Sequence, residues 1–228
     1  MDITIITLFP EMFVGPFNFS IVARAQKKQL LTIHYVNLRD FATDNYGSVD
    51  DHPYGGGHGM ILRVDVIDRA IQQAKRAVRG RCFVILTSPA GTPYRQSRAA
   101  ELSAYHHLIF ICGHYEGIDE RVRDLVDEEI SIGDFVLTGG ELATMVMVDS
   151  IVRLLPGVLK KKEATVDESF STDENILEYP QYTRPEIYKR KKVPEILLSG
   201  NHKEIANWRS QQARIRTRRL RPDLSKSD

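Results

Sequence analysis

The sequence predicts an α/β fold with a mostly parallel sheet, followed by a small helical C-terminal domain. Three observations predict it. Apolar strand-like runs alternate with helical patterns through the first two thirds of the chain, the pattern of strands laid side by side with helices packed over them. A polar stretch from Lys160 to Glu178 then breaks every periodicity. Beyond it, one long basic helical pattern closes the chain.

The strands read from the sequence are Ile3–Leu8, Thr32–Asn37, Phe83–Thr87, Leu108–Cys112 and Ile130–Leu137. Each is a short apolar run rich in β-branched or aromatic residues and bounded by polar, Gly or Pro positions. The clearest helix runs from Val64 to Val78, where Val64, Ile67, Ile71, Ala74 and Val78 share one face of a 3.6-residue period. A second helix starts near Gly140-Glu141 and runs to Leu155, where Pro156-Gly157 stops it. It is apolar nearly all round, so something besides its own sheet must cover one face; a homodimer is expected. After Pro180, Ser199-Gly-Asn-His202 caps a helix with Ile205, Trp208 and Ile215 as its apolar stripe. Arg214, Arg218 and Arg221 lie on another face, and Pro222 ends it.

Composition narrows the class. The chain is 42% hydrophobic and 27% charged, with no apolar run of the roughly 18 residues a membrane span needs. Its start, Met1 to Pro10, reads as a buried strand rather than a signal peptide, which places the protein in a cytoplasm with no membrane partner. Cys82 and Cys112 have no C-x-x-C spacing and read as buried structural thiols. The net charge of +1 hides an asymmetry: Arg184 to Arg221 holds twelve Lys and Arg against three acids. An acidic body with a basic end suggests a polyanion bound by that end.

Several chemistries are excluded first. The chain has neither a G-x-x-x-x-G-K-[ST] loop nor a G-x-G-x-x-G after its first strand, and its histidines have no zinc spacing with the cysteines. What stands out instead is a pair of glycine-studded loops, each leaving an apolar strand: Cys112-Gly-His-Tyr-Glu-Gly-Ile-Asp-Glu-Arg121 and Ile130-Ser-Ile-Gly-Asp-Phe-Val-Leu-Thr-Gly-Gly-Glu141. Glycines there let backbone approach a ligand, so the loops read as a cofactor site. A third segment, Val49-Asp-Asp-His-Pro-Tyr-Gly-Gly-Gly-His-Gly-Met60, is costly to order and points to close approach of a ligand or another loop.

These three segments resemble the bacterial tRNA (guanine-N1)-methyltransferases of the TrmD type, together with Ile6-Thr-Leu-Phe-Pro-Glu-Met-Phe13, Asn37-Leu-Arg-Asp-Phe41, Leu155-Pro-Gly-Val158, Tyr182-Thr-Arg-Pro185 and Leu198-Ser-Gly-Asn-His202. That family is the knotted, SPOUT-class, S-adenosylmethionine-dependent group that modifies guanosine 37 of tRNA, just 3′ of the anticodon. The resemblance implies a deep trefoil knot and three domains: a knotted cofactor-binding domain over 1–159, a flexible lid or linker over 160–178, and a basic helical tRNA-binding domain over 179–228. The cofactor would be held by Leu86, Thr87, Ser88 and Pro89, by Gly113, Tyr115 and Glu116, and by Ile132, Gly133, Asp134, Phe135, Val136, Leu137, Gly139 and Gly140. RNA contacts fall on Asp50, Tyr54, Arg184, His202, Arg209, Arg214 and Arg216.

The same resemblance implies an obligate dimer with the active site between subunits, and a magnesium requirement with Glu116 as the contact. An ion pair of Glu116 with Arg121 or Arg123 is the competing reading. Arg153 matches a helix arginine that stabilises the transition state. The family's catalytic base is an Asp before Ser-Phe; here that position is Glu168, with Asp167 one residue earlier as the competitor. The chain also departs from the family pattern at His114, Asn45–Gly47, Ala213 and Leu220. Two other functions stay open at this point: a related knotted methyltransferase acting on another RNA, and a tRNA-binding protein without activity.

Overall fold

Period-2 alternation in the strands and period-3.6 alternation in the helices give the two faces of one sheet their separate cores. The computed structural model describes residues 1–78, 80–160, 165, 168–171 and 175–225. These divide into two compact units, Met1–Lys160 and Lys161–Asp228. In the first, the strands in chain order are β1 (Asp2–Thr7), β2 (Thr32–Asn37), β3 (Asp50–Asp51), β4 (Ile61–Leu62), β5 (Cys82–Pro93), β6 (His107–Cys112) and β7 (Glu128–Ser131). Its helices are α1 (Val14–Phe17), α2 (Ser20–Lys27), α3 (Val64–Ala77), α4 (Gln96–Ser103) and α5 (Glu141–Val152).

Five strands form one sheet in the order β2-β1-β6-β5-β7, and every pair in it is parallel. The register runs Asp2↔Thr32 to Thr7↔Asn37 on one side of β1 and Asp2↔His107 to Ile6↔Ile111 on the other. Parallel strands are buried on both faces, and β6 shows it: all six of its residues are buried. Leu108, Phe110 and Cys112 join Ile3, Ile5 and Ile85 in one core, covered by Met147, Val148 and Ile151 of α5. Ile109 and Ile111 join Ile6, Val84 and Leu86 in the other, covered by Val66, Ile67, Ala70, Ile71 and Ala74 of α3.

Two predicted strands end elsewhere. β5 continues past Thr87 to Pro93: its register with β7 breaks between Thr87 and Thr92, so residues 88–91 bulge out before pairing resumes at Thr92↔Ile130. The run predicted as Ile130–Leu137 stops at Ser131. Its hydroxyl donates to Gly133 O and accepts from Gly133 N, both at 3.2 Å, and turns the chain into a loop. Gly133 has φ +148°, and a Cβ there would lie 2.6 Å from the Phe135 ring.

The second unit holds a short antiparallel pair, β8 (Ile187–Tyr188) and β9 (Lys191–Lys192), and the helix α6 (His202–Leu220). Asn201 caps α6, its side-chain oxygen accepting from Glu204 N at 3.3 Å. The buried face of α6 is not the predicted one. Ala213 and Thr217 are buried, whereas Ile215 is 50% exposed. Leu177 N donates to Thr217 Oγ1 at 2.9 Å, so a chain segment lies against the small side chains and leaves the isoleucine outside.

Candidate active site

The C-terminal ends of β5, β6 and β7 surround a cavity of about 330 Å³, where open parallel sheets bind ligands because the following loops diverge. β5 supplies Leu86 and Thr87 and its bulge Ser88 and Pro89, the loop after β6 supplies Gly113 to Glu120, and the loop after β7 supplies Ile132, Gly133 and Phe135 to Gly140. Backbone bonds join the loops: Gly140 N donates to Gly113 O at 2.8 Å, and His114 bridges Gly139. A Cβ on Gly140 would fall on Thr87 Oγ1 and lie 2.9 Å from both Cys112 Cα and Gly113 N. Only a residue without a side chain lets these backbones meet. Tyr115, on the cavity wall, holds φ +60°, a strained conformation for a bulky residue.

Beside the cavity lies a group that sequence reading missed. Glu141 opens α5 yet is only 1% exposed. Its Oε1 accepts from the Thr7 hydroxyl at 2.7 Å, and its Oε2 stands 3.9 Å from Nδ1 of His114, a nitrogen with no other hydrogen-bond partner among the described residues. The His114 ring packs between Phe9, at 4.9 Å, and Tyr115, at 5.1 Å. Burial and the Glu141 carboxylate push the Cys112 thiol far above its usual range, so this thiol is inert. The available signal was an acid at the first position of a helix that is apolar over its next seven residues but for one threonine.

The glycine-rich segment reaches another loop. Glu116 N donates to Met60 O at 3.1 Å, Leu62 N donates to Gly117 O at 3.0 Å, and the Glu116 side chain fills the space a Cβ on Gly59 would need. Arg121 pairs with Asp119 at 2.6 Å, and Arg123 with Glu120 and Glu129 at 3.2 and 3.3 Å, so these arginines are engaged by carboxylates other than Glu116. The Arg121 hydrogen bonds hold the Asp119 carboxyl below the usual carboxylate range. Among the described residues, no three His, Cys, Asp or Glu side chains gather as a metal cage.

Comparison with known proteins bears on what this cavity serves. A family model described as tRNA (Guanine-1)-methyltransferase TrmD matches residues 1–227. A tRNA (guanine-N(1)-)-methyltransferase of Syntrophomonas wolfei is 54% identical over 224 residues, covering 98% of this chain and 90% of the relative. One from Carboxydothermus hydrogenoformans is 54% identical over 227 residues, covering 99% and 88%, and one from Brevibacillus brevis is 52% identical over 225, covering 98% and 91%. The chain belongs to the TrmD family.

Against the family motifs, every cofactor candidate lines the cavity except Asp134, which is exposed and outside the lining. Residues added by the structure include His114, Gly117, Ile118, Arg123 and Ala143. Arg153 is the half-buried C-cap of α5 and is not part of the cavity lining. Asp50 is half-buried in β3, and Tyr54, in the loop that follows, is fully exposed. In the second unit, Arg184 and Arg209 share one cleft, while His202, Arg214 and Arg216 lie along α6, Arg216 half-buried. Glu168 is half-buried, its carbonyl accepting from Ser171 N and Oγ. Asp167 lies outside the described residues, as does part of the expected lid. No helix among the described residues is long and apolar enough to cross a membrane.

Proposed function

We propose that this protein transfers a methyl group from S-adenosylmethionine to N1 of guanosine 37 of tRNA, in the cytoplasm, as a homodimer whose active site forms between subunits. The observation that carries this reading is the cavity at the ends of β5 to β7, lined by family-motif residues in a chain 54% identical to named tRNA (guanine-N(1)-)-methyltransferases. A trefoil knot is consistent with the way the loops after β6 and β7 interlock through Gly113, His114, Gly139 and Gly140. Leu142 and Val146, apolar side chains of α5 that are 48% and 51% exposed, favour association of two copies.

The cavity suits the cofactor in size and chemistry: glycine backbone at Gly113, Gly139 and Gly140 for close approach, and apolar walls from Leu86, Ile132 and Leu137. S-adenosylmethionine supplies a methyl already activated on sulfonium. The protein's task is then to hold that methyl in line with guanine N1, which can contribute up to roughly 7–11 kcal/mol. N1 carries a proton at neutral pH, so a base must remove it, worth typically about 10²–10⁴-fold. Glu168 is assigned that proton, with Asp167 as its competitor in the same loop. Arg153 is assigned the negative charge that moves onto the guanine carbonyl oxygen. Glu116 would offer a carboxylate to magnesium, an ion that takes one or two protein carboxylates and completes its shell with substrate and water.

Tyr54, Asp50 and the basic residues Arg184, His202, Arg209, Arg214 and Arg216 are assigned to the RNA. The surplus of positive charge from Arg184 to Arg221 supports that assignment. The deciding experiment measures methyl transfer from labelled cofactor to an unmodified tRNA with guanosine at 36 and 37, beside a transcript with adenosine at 37. N1-methylguanosine from the first alone, identified by mass spectrometry, is the expected result. Product from a different RNA only, or cofactor binding with no product, would overturn it.

A further inference from the structure

The second unit contains a cleft of about 490 Å³, within the range of sites that hold small ligands. Its lining shares no residue with the cofactor cavity of the first unit. Three kinds of chemistry meet there. Val193, Leu197, Leu198 and Ile205 give an apolar floor, Tyr179 and Tyr182 give aromatic faces, and Arg184, Arg209 and Glu186 give charge at the walls. The Tyr179 ring already carries the Arg209 guanidinium 4.7 Å from its centroid. Tyr182 is 50% exposed and makes no ring or cation contact among the described residues, so its face is available.

A flat aromatic face beside cations, over an apolar floor, recognises a nucleotide: the base stacks and the phosphate meets the guanidinium. A carboxylate at the same wall adds selection, because it accepts from the adjacent N1–H and N2–H of guanine or the amino group of cytosine, whereas the single N–H of uracil is flanked by two carbonyl oxygens that repel it. The charge of the segment agrees, twelve cations against three acids from Arg184 to Arg221. We propose that this cleft receives one unstacked base of the bound tRNA other than the methylated guanine. The base stacks on Tyr182, its phosphate lies against Arg184, and Glu186 favours guanine or cytosine over uracil. The inference rests on the reading of the chain as a tRNA methyltransferase.

The test uses the full-length protein and unmodified tRNA transcripts, with filter-binding affinity, KM for tRNA, KM for cofactor and kcat as readouts. Tyr182→Ala is expected to weaken tRNA binding and raise KM for tRNA roughly 10-fold or more, the scale of losing one stacked base. KM for cofactor and kcat should stay within about twofold, and Tyr182→Phe, which keeps the stacking face, should bind like wild type. Scanning single abasic positions through the transcript should find one whose removal reproduces the Tyr182→Ala loss and adds nothing to it. Restoring guanine, cytosine or uracil at that position should show the preference, which Glu186→Gln should relax.

Wild-type affinity in Tyr182→Ala, equal losses in the Ala and Phe variants, or no abasic position that couples to Tyr182 would each overturn the proposal. A drop in kcat at unchanged KM would overturn it too, since the cleft would then serve the methylated base. Failure of the broader reading is distinguishable, because the wild-type protein would then transfer no methyl to any of these transcripts.

Discussion

Replacing Gly140 by alanine adds one methyl group where the Cys112–Gly113 backbone and the Thr87 side chain close on the glycine. The residue has φ −79° and ψ −5°, a conformation any amino acid adopts, so the cost is contact alone. The added carbon would overlap Thr87 Oγ1 and lie 2.9 Å from Cys112 Cα and Gly113 N, against a comfortable separation of about 3.5–4.0 Å. Backbone atoms cannot rotate aside, so β6 and the start of its loop must shift. Overpacking of this kind costs roughly 1–3 kcal/mol. Thr87 must also leave its 3.1 Å hydrogen bond to Ile111 O, losing about 0.5–1.5 kcal/mol more. The sum, roughly 1.5–4.5 kcal/mol, predicts a Tm lower by about 3–18 °C for a chain of this size.

The same displacement moves Thr87 and Gly113, both on the cavity wall. Calorimetry with S-adenosylmethionine should therefore show affinity at least about tenfold weaker. Gly15→Ala is the control: nothing lies within 4 Å of its added carbon, and it sits in the short helix α1, so alanine should be neutral or stabilising by up to about 1 kcal/mol. A Gly140→Ala protein with wild-type Tm and wild-type cofactor affinity would refute the reasoning.

Glu168→Gln should lower single-turnover methyl transfer by about 10²–10⁴-fold with tRNA affinity retained; a normal rate there, with the loss appearing in Asp167→Asn, would move the base one residue. Arg214→Ala and Arg216→Ala should each reduce the slope of log affinity against log salt by roughly 0.7–0.9, and an unchanged slope in both would remove them from the RNA contacts. Glu141→Ala takes away the acceptor of the Thr7 hydroxyl, so urea denaturation should show a loss of roughly 1.5–3 kcal/mol; stability equal to wild type would mean that the buried carboxylate is not held by this bond. Asp119, whose folded pKa is lowered by Arg121, stabilises the fold fully above the unfolded aspartate value near about 3.9 and loses that contribution as pH falls through the lower folded value. Asp119→Asn should therefore fall short of wild type at pH 7 and converge with it in acid, and a constant difference across that range would contradict the assignment.

Alternation and periodicity are properties of neighbouring residues, and what depends on them was legible. β2 runs Thr32–Asn37, as read from its short run of β-branched and aromatic residues, and α3 runs Val64–Ala77 within one residue of its predicted end. α5 begins at Glu141 after the paired glycines, and the double glycine itself signalled a close approach. Composition likewise revealed the charge asymmetry between the two ends of the chain, because it needs no geometry.

Pairing order, strand ends and burial depend on groups far apart in the chain, and these only the tertiary structure decided. β5 reaches Pro93 because β7 offers a partner beyond the bulge, and β7 stops at Ser131 because one hydroxyl and one glycine turn it. Ile215 is exposed because the backbone of Leu177 needs the small face of α6, where Thr217 accepts its N–H. Glu141 reads locally as an acid at a helix start, a place usually open to water. It is buried because β1 brings Thr7 to it across 134 residues of chain, and a buried carboxylate is stable only where such a donor has been delivered.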